Sequence, residues 1–213
     1  MRPVLILFAK APVPGRVKTR LAKTIGIEQA TKLHRAFVGD TLQKAAKLAD
    51  RSFIDVELHT DVETDAWSLN RVTHRLQVQG DLGDRMYHAI QQALAQGHPK
   101  AMIIGSDSPT LPESHLLNLL ELPQDVALGP CDDGGYYAIS CCRIAPEMFR
   151  SVNWSVASTL DETCNGCAQV GLSTALGQSW FDVDEPDDLN RLRTEGNLPP
   201  LTFAALKEIY GTE

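Results

Sequence analysis

An α/β sandwich built on a mainly parallel sheet is the fold class this sequence predicts, and three observations predict it. Val4–Phe8 and Ala101–Ile104 are continuously apolar runs, as expected of central strands covered on both faces. Between such runs lie longer stretches whose apolar residues recur at helical spacing. Glycine-containing polar motifs follow directly on the runs, where open α/β sheets bind ligands beyond the carboxyl ends of their strands.

The elements follow in order. After the first strand comes a loop with Pro12, Pro14 and Gly15, and then a long amphipathic helix over about 28–48. Its apolar stripe includes Leu33, Phe37, Ala45 and Leu48, with Gly26 and Asp50 outside its ends. Strands are expected over 53–58 and 76–78. A helix with Met86, Ile90, Ala93 and Leu94 on one face is ended by Gly97. Beyond Ala101–Ile104, Leu116–Leu122 predicts a short helix closed by Pro123. Val126–Leu128 and Tyr136–Cys141 are the next strands, and near Phe181 a short strand leads into a helix starting at Pro186.

The 213 residues suffice for one domain with a sizeable core, and the absence of an internal linker argues for one domain over 1–213. No apolar run approaches the ~18 residues of a membrane span, so none is expected. A net charge of −7 disfavours nucleic acid as a partner, because such binding needs many Lys/Arg–phosphate contacts. Five cysteines, an odd number without a secretion signal, point to a reducing compartment, with cytoplasm as the expected location.

Five motifs carry the chemistry. In Ala11–Leu21, Arg16, Lys18, Thr19 and Arg20 place three cations and a hydroxyl within five positions beside Gly15, a pattern that suits a phosphate chain. It is not a Walker A loop, since Val17 stands where a glycine should precede Lys18. Lys18 is expected to face solvent; the plainer account is a solvated basic turn. In Gly80–Met86 the pair Gly80 and Gly83 suggests a substrate-contacting loop, with a plain turn as the alternative, while Asp84 is explained as a helix N-cap.

The segment Gly105-Ser106-Asp107-Ser108-Pro109 ends a buried strand, and Asp107 is read as a Mg²⁺ ligand, with a helix N-cap as its alternative. Asp184, between strand and helix, is the candidate second ligand, with helix capping as its alternative. Asp132, Asp133, Gly134, Gly135 and Tyr136 suit a hydroxyl-rich acceptor, with a tyrosine against its ring; a diglycine hairpin with solvated acids is the alternative. Cys164-Asn-Gly-Cys167 lacks a second pair to complete a tetrahedral metal set, and a small-residue turn explains it more simply.

Taken in order, Phe8–Pro12, Lys18–Leu21, Gly80–Met86, Gly105–Pro109, Asp133–Tyr137 and Asp182–Pro186 closely resemble a bacterial glycosyltransferase-A-like family. It is labelled arsenosugar biosynthesis glycosyltransferase, formerly a domain of unknown function, and lies in the nucleotide-diphospho-sugar transferase superfamily. The resemblance runs from Val4 to about Leu192 and implies a three-layer α/β/α sandwich of that type. It implies an NTP or NDP-sugar bound through Ala9, Lys10, Gly15, Arg16, Lys18, Thr19, Arg20, Gly80, Gly83, Arg85 and Ser106. Mg²⁺ (or Mn²⁺) would sit on Asp107 and Asp184, and Lys18 and Asp107 would be the catalytic residues. Glu185 departs from the family, which usually has a small residue there. Glycosyl transfer from an NDP-sugar to a small acceptor leads these expectations; nucleotidyl transfer from an NTP and a non-catalytic nucleotide sensor are the alternatives.

Overall fold

The computed structural model describes residues 1–67 and 72–211. Seven strands form one sheet: β1 (Val4–Ala9), β2 (Asp55–Thr60), β3 (Thr73–Leu76), β4 (Ala101–Ile104), β5 (Val126–Pro130), β6 (Tyr136–Cys141) and β7 (Thr174–Leu176), in the order β3-β2-β1-β4-β6-β5-β7. All neighbours pair in parallel except β6, which runs antiparallel to both β4 and β5. Helices α1 (Thr19–Ile25), α2 (Ile27–Ser52), α3 (Leu82–Ala95), α4 (Glu113–Glu121), α5 (Thr159–Gln169), α6 (Pro186–Thr194) and α7 (Pro200–Tyr210) complete the described chain, with a short 3-10 helix at Pro146–Phe149. None is long and apolar enough to cross a membrane among the described residues.

The three-layer sandwich follows from alternation along the strands. In β1, Leu5 and Leu7 point into one core with Val38, Leu42 and Leu116, while Val4 and Ile6 point into another with Ile90 and Met148. A third cluster joins α1, α2, α6 and α7 around Phe37, Leu33, Leu189 and Leu206. Leu33 and Phe37 are fully buried, which contributes roughly 1.5–3 kcal/mol each.

Asp40, buried on α2, accepts the Leu201 and Thr202 N–H groups at 3.1 and 2.7 Å. It thereby caps the first turn of α7 from a distance and fixes that helix against α2.

Several expected boundaries shift. The long helix extends to Ser52, so Asp50 lies inside it, and Phe53 turns left-handed (φ 53°) as its cap rather than opening β2. The strand expected over 76–78 lies at Thr73–Leu76. The strand expected near Phe181 is reduced to one bridge between Trp180 and Cys131. Cys164 and Cys167 sit within α5 rather than in a turn, and Gly166 between them admits close packing, because a Cβ there would collide with the Met148 carbonyl.

The reversed direction of β6 positions the site. Since β5 runs with β4 and β6 runs back, the Cys131–Gly135 turn joins the loops that leave the carboxyl ends of β1 and β4. Every motif therefore collects at one end of the sheet.

Candidate active site

A cleft of about 730 Å³ opens at that end. Ala9 and Lys10 line it from the end of β1, Arg16 to Arg20 from the loop and first turn of α1, Ser106 and Asp107 from the end of β4, and Asp184 from the strand-like segment before α6. Arg85 and Asp81 line it from the start of α3.

Lys18 lies at its centre. Its backbone is left-handed (φ 45°, ψ 44°), uncommon for a residue with a side chain, and this turns the side chain inward. Only 3% of that side chain is exposed, so the solvent-facing role expected from sequence is replaced by an internal one. The ammonium lies 2.6 Å from Asp107 Oδ1 and 2.8 Å from Asp184 Oδ1, and donates to the Val183 carbonyl at 2.7 Å. Burial lowers its pKa, but Asp107 and Asp184 outweigh burial and hold it above the ordinary lysine value. Burial likewise pushes the Asp107 carboxyl up, and the Lys18 ammonium more than offsets it, leaving the group below the usual range.

Neither acid caps a helix. The N-cap of α4 is Pro112, five residues beyond Asp107, and that of α6 is Glu185. The Glu185 N–H is taken by Asp188, which also accepts the Asp184 N–H, so the Asp184 carboxylate is free to meet Lys18. In the Gly80–Met86 motif the cap is Asp81, not Asp84 as expected: Asp81 accepts the Asp84 N–H at 2.8 Å and Asp84 closes the capping box.

The three arginines of the cleft already have partners. Arg16 meets Asp61 at 3.4 Å, and Asp61 also accepts the Ala11 N–H; Arg20 meets Glu185 at 3.2 Å; Arg85 donates to Gln77 Oε1 at 3.1 Å. Arg16 and Arg20 are more than half exposed, so these pairs hold them weakly and leave them available to an anion. Thr19 opens α1 within the cleft.

The glycines among the expected residues act through backbone. Gly15 (φ 78°) turns the loop without lining the cleft. At Gly83 a Cβ would come within 2.8 Å of Phe149 and 2.9 Å of Trp154, and at Gly80 (φ 128°) it would press on Asp84. Gly134 (φ 87°) packs against the Ala157 backbone, and Gly135 donates its N–H to Asp133. Asp132 is paired with Arg191 at 2.7 Å. None of the residues 132–136 lines the cleft. The Tyr136 ring, expected against an acceptor, packs into the core beside α5, and burial pushes its phenol pKa up. The period of two put Tyr136 and Tyr137 on opposite faces of β6, each over a core.

Sequence reasoning missed four cleft residues: His34, Gln77, Trp154 and Ser155. His34 is buried on α2 beneath Lys10, whose carbonyl lies 2.9 Å from its Nε2. Trp154 and Ser155 reach the cleft because the diglycine turn admits the 153–157 segment, and Ser155 is left-handed (φ 63°). Lys44, also unforeseen, donates from α2 to the Pro109 and Leu111 carbonyls and pins the exit of the Asp107 loop; burial lowers its pKa to about 8.

Two donor sets could hold a cation. Asp107 and Asp184 offer hard carboxylate oxygens that converge on one point and are 43% and 44% exposed to the cleft, which suits Mg²⁺ or Mn²⁺. Cys131, Asp133 and Asp182 also gather their ligand atoms within 4.8 Å. Burial, and then the Asp182, Asp133 and Asp132 carboxylates, push the Cys131 thiol up.

Comparison with known proteins adds the following. Residues 39–156 match the family described as an uncharacterized protein conserved in bacteria, DUF2064. Among solved structures, a candidate nucleotide-diphospho-sugar transferase of Desulfovibrio desulfuricans G20 is 32% identical with a TM-score of 0.84, over 98% of this chain and 95% of that one. The inositol-1-phosphate CTP transferase of T. maritima (15% identity, TM-score 0.56, 98% and 97% covered) shares the fold. So does the 2-C-methyl-D-erythritol 4-phosphate cytidylyltransferase of Thermus thermophilus (12%, 0.52, 97% and 100%). No curated protein matches the sequence. The expected fold type, that of the nucleotide-diphospho-sugar transferases, is the one the chain adopts.

Proposed function

Since the chain belongs to the DUF2064 family and shares the nucleotide-diphospho-sugar transferase fold, we propose that it is a transferase that moves a sugar from an NDP-sugar to a small acceptor. The Asp107–Asp184 pair carries this reading. Two carboxylates from distant parts of the chain converge in a cleft of about 730 Å³, and neither has a capping role to explain it. A divalent cation held there would offset the charge gathering on the departing diphosphate.

Arg16 and Arg20 would bind the phosphates, their guanidinium forks suiting phosphate oxygens. The acceptor hydroxyl oxygen would attack the anomeric carbon as the bond from that carbon to the diphosphate oxygen breaks; the NDP would leave with the electron pair and the hydroxyl proton would pass to solvent. Close placement of the two reactants is the main contribution of such a cleft. Trp154 and Ser155, which line the same cleft, would flank the sugar.

The inward turn of Lys18 engages it with Asp107 and leaves Lys10, Arg16, Arg20 and Arg85 along the cleft to meet phosphates. We also take residues 1–213 as one domain acting in the cytoplasm, in keeping with one sheet and an odd set of cysteines.

Calorimetry with a panel of NDP-sugars and NTPs, with and without Mg²⁺, tests the reading. One NDP-sugar should bind at least tenfold more tightly with Mg²⁺ and should release NDP when acceptors are added. Pyrophosphate release from an NTP would move the assignment to nucleotidyl transfer.

A further inference from the structure

The position that a metal ion would take between Asp107 and Asp184 is held by the protein's own cation. All three N–H groups of the Lys18 ammonium are used, by Asp107 Oδ1, Asp184 Oδ1 and the Val183 carbonyl. Beneath it lies the Phe37 ring, with its centroid 5.6 Å from Nζ, close enough for a cation–π contact. The site is thus built for a cation on four sides, while both carboxylates keep a face open to the cleft.

With Lys18 in place the pair carries one net negative charge instead of two, so its attraction for a divalent ion is roughly halved at any given distance. A hydrated Mg²⁺ gives up water reluctantly and usually takes substrate phosphate oxygens alongside one or two carboxylates. Phosphates arriving at Arg16 and Arg20, which line the same cleft as Asp107, bring further negative charge into it. Free metal and free nucleotide each find an incomplete site; together they complete it.

We infer that Lys18 is a built-in counter-ion that keeps free divalent metal off the Asp107–Asp184 pair, so that metal enters only together with the nucleotide phosphates. This rests on the metal-site reading given above. Lys18 is then a positioning residue that makes the two ligands depend on each other, and by linkage each must strengthen the other equally.

The test is Mn²⁺ binding, read from the electron paramagnetic resonance signal of free Mn²⁺, without nucleotide. The parent, Lys18→Met, Lys18→Gln, Lys18→Arg and Asp107→Asn are compared, with circular dichroism confirming that each is folded. Lys18→Met or Lys18→Gln should bind Mn²⁺ at least tenfold more tightly than the parent, whereas Lys18→Arg, which keeps the charge, should not. If Lys18→Met does not fold alone, Mn²⁺ should restore its thermal transition, and Lys18→Gln carries the binding measurement. Folded Lys18→Gln binding Mn²⁺ no more tightly than the parent overturns the inference. Then Mn²⁺-dependent NDP binding that is lost in Asp107→Asn leaves the metal-site reading standing. Binding that ignores Asp107→Asn removes both.

Discussion

The Lys18 ammonium lies 2.6 Å from the Asp107 carboxylate, with Asp184 bonded to the same nitrogen at 2.8 Å. This contact joins the loop after β1 to the end of β4 and to the entry of α6. It makes the candidate phosphate loop and the candidate metal ligands a single unit, so a change in one member is felt by the others.

Asp107→Asn removes the charge and keeps the shape. Mg²⁺-dependent nucleotide binding should disappear, and turnover, once an acceptor is found, should fall on the order of 100-fold to 1000-fold. Stability should drop by about 1 kcal/mol, because Lys18 retains Asp184 and the Val183 carbonyl. Calorimetry together with thermal melts reads both effects; nucleotide binding that stays Mg²⁺-dependent would contradict the assignment.

Gly134→Ala should be costly although the site is on a surface turn. The backbone there is left-handed (φ 87°), and the added methyl would collide with the Ala157 carbonyl. A loss of more than about 2 kcal/mol is expected in urea unfolding. The displaced 153–157 segment should also shift the fluorescence of Trp154.

Asp182 supplies a pH test. Its pKa is pushed up to about 6 by burial and by the Asp133 and Asp184 carboxylates. The folded state therefore holds a proton that the unfolded chain has released. Its contribution falls as pH rises from about 4 to about 6, and the penalty is constant above that. Asp182→Asn, measured in a metal chelator, should raise stability by about 1–2 kcal/mol at pH 7.5 and leave it unchanged near pH 4, the figure being reduced for partial exposure.

Cys164 and Cys167 should separate by burial rather than act as a pair. Cys167 is fully buried in the core beneath α5 while Cys164 is partly exposed. Cys167→Ser should cost roughly 1–3 kcal/mol for a hydroxyl placed in an apolar setting, and Cys164→Ser under about 0.5 kcal/mol. Stoichiometric zinc in the purified parent, lost in the double variant, would show a metal role instead.

The sequence by itself determined the α/β class, because uninterrupted apolar runs alternating with helical stripes are local signals read within a few residues. It also put Lys18 and Asp107 at the ligand-binding edge of such a sheet, since each follows an apolar run that becomes a strand, β1 and β4. Only the tertiary structure decided what those residues do to one another. Lys18 turns inward because acids far along the chain meet it there, one of them 166 positions away. The reversal of β6 brings the diglycine turn to the cleft, yet that turn serves as a brace for Trp154 and Ser155, whose own sequence carries no motif. Tyr136 lies over a core and not over a ligand because both faces of β6 are covered by helices. Alternation along a strand assigns opposite faces, but which face meets solvent, ligand or protein depends on the layers packed against the sheet.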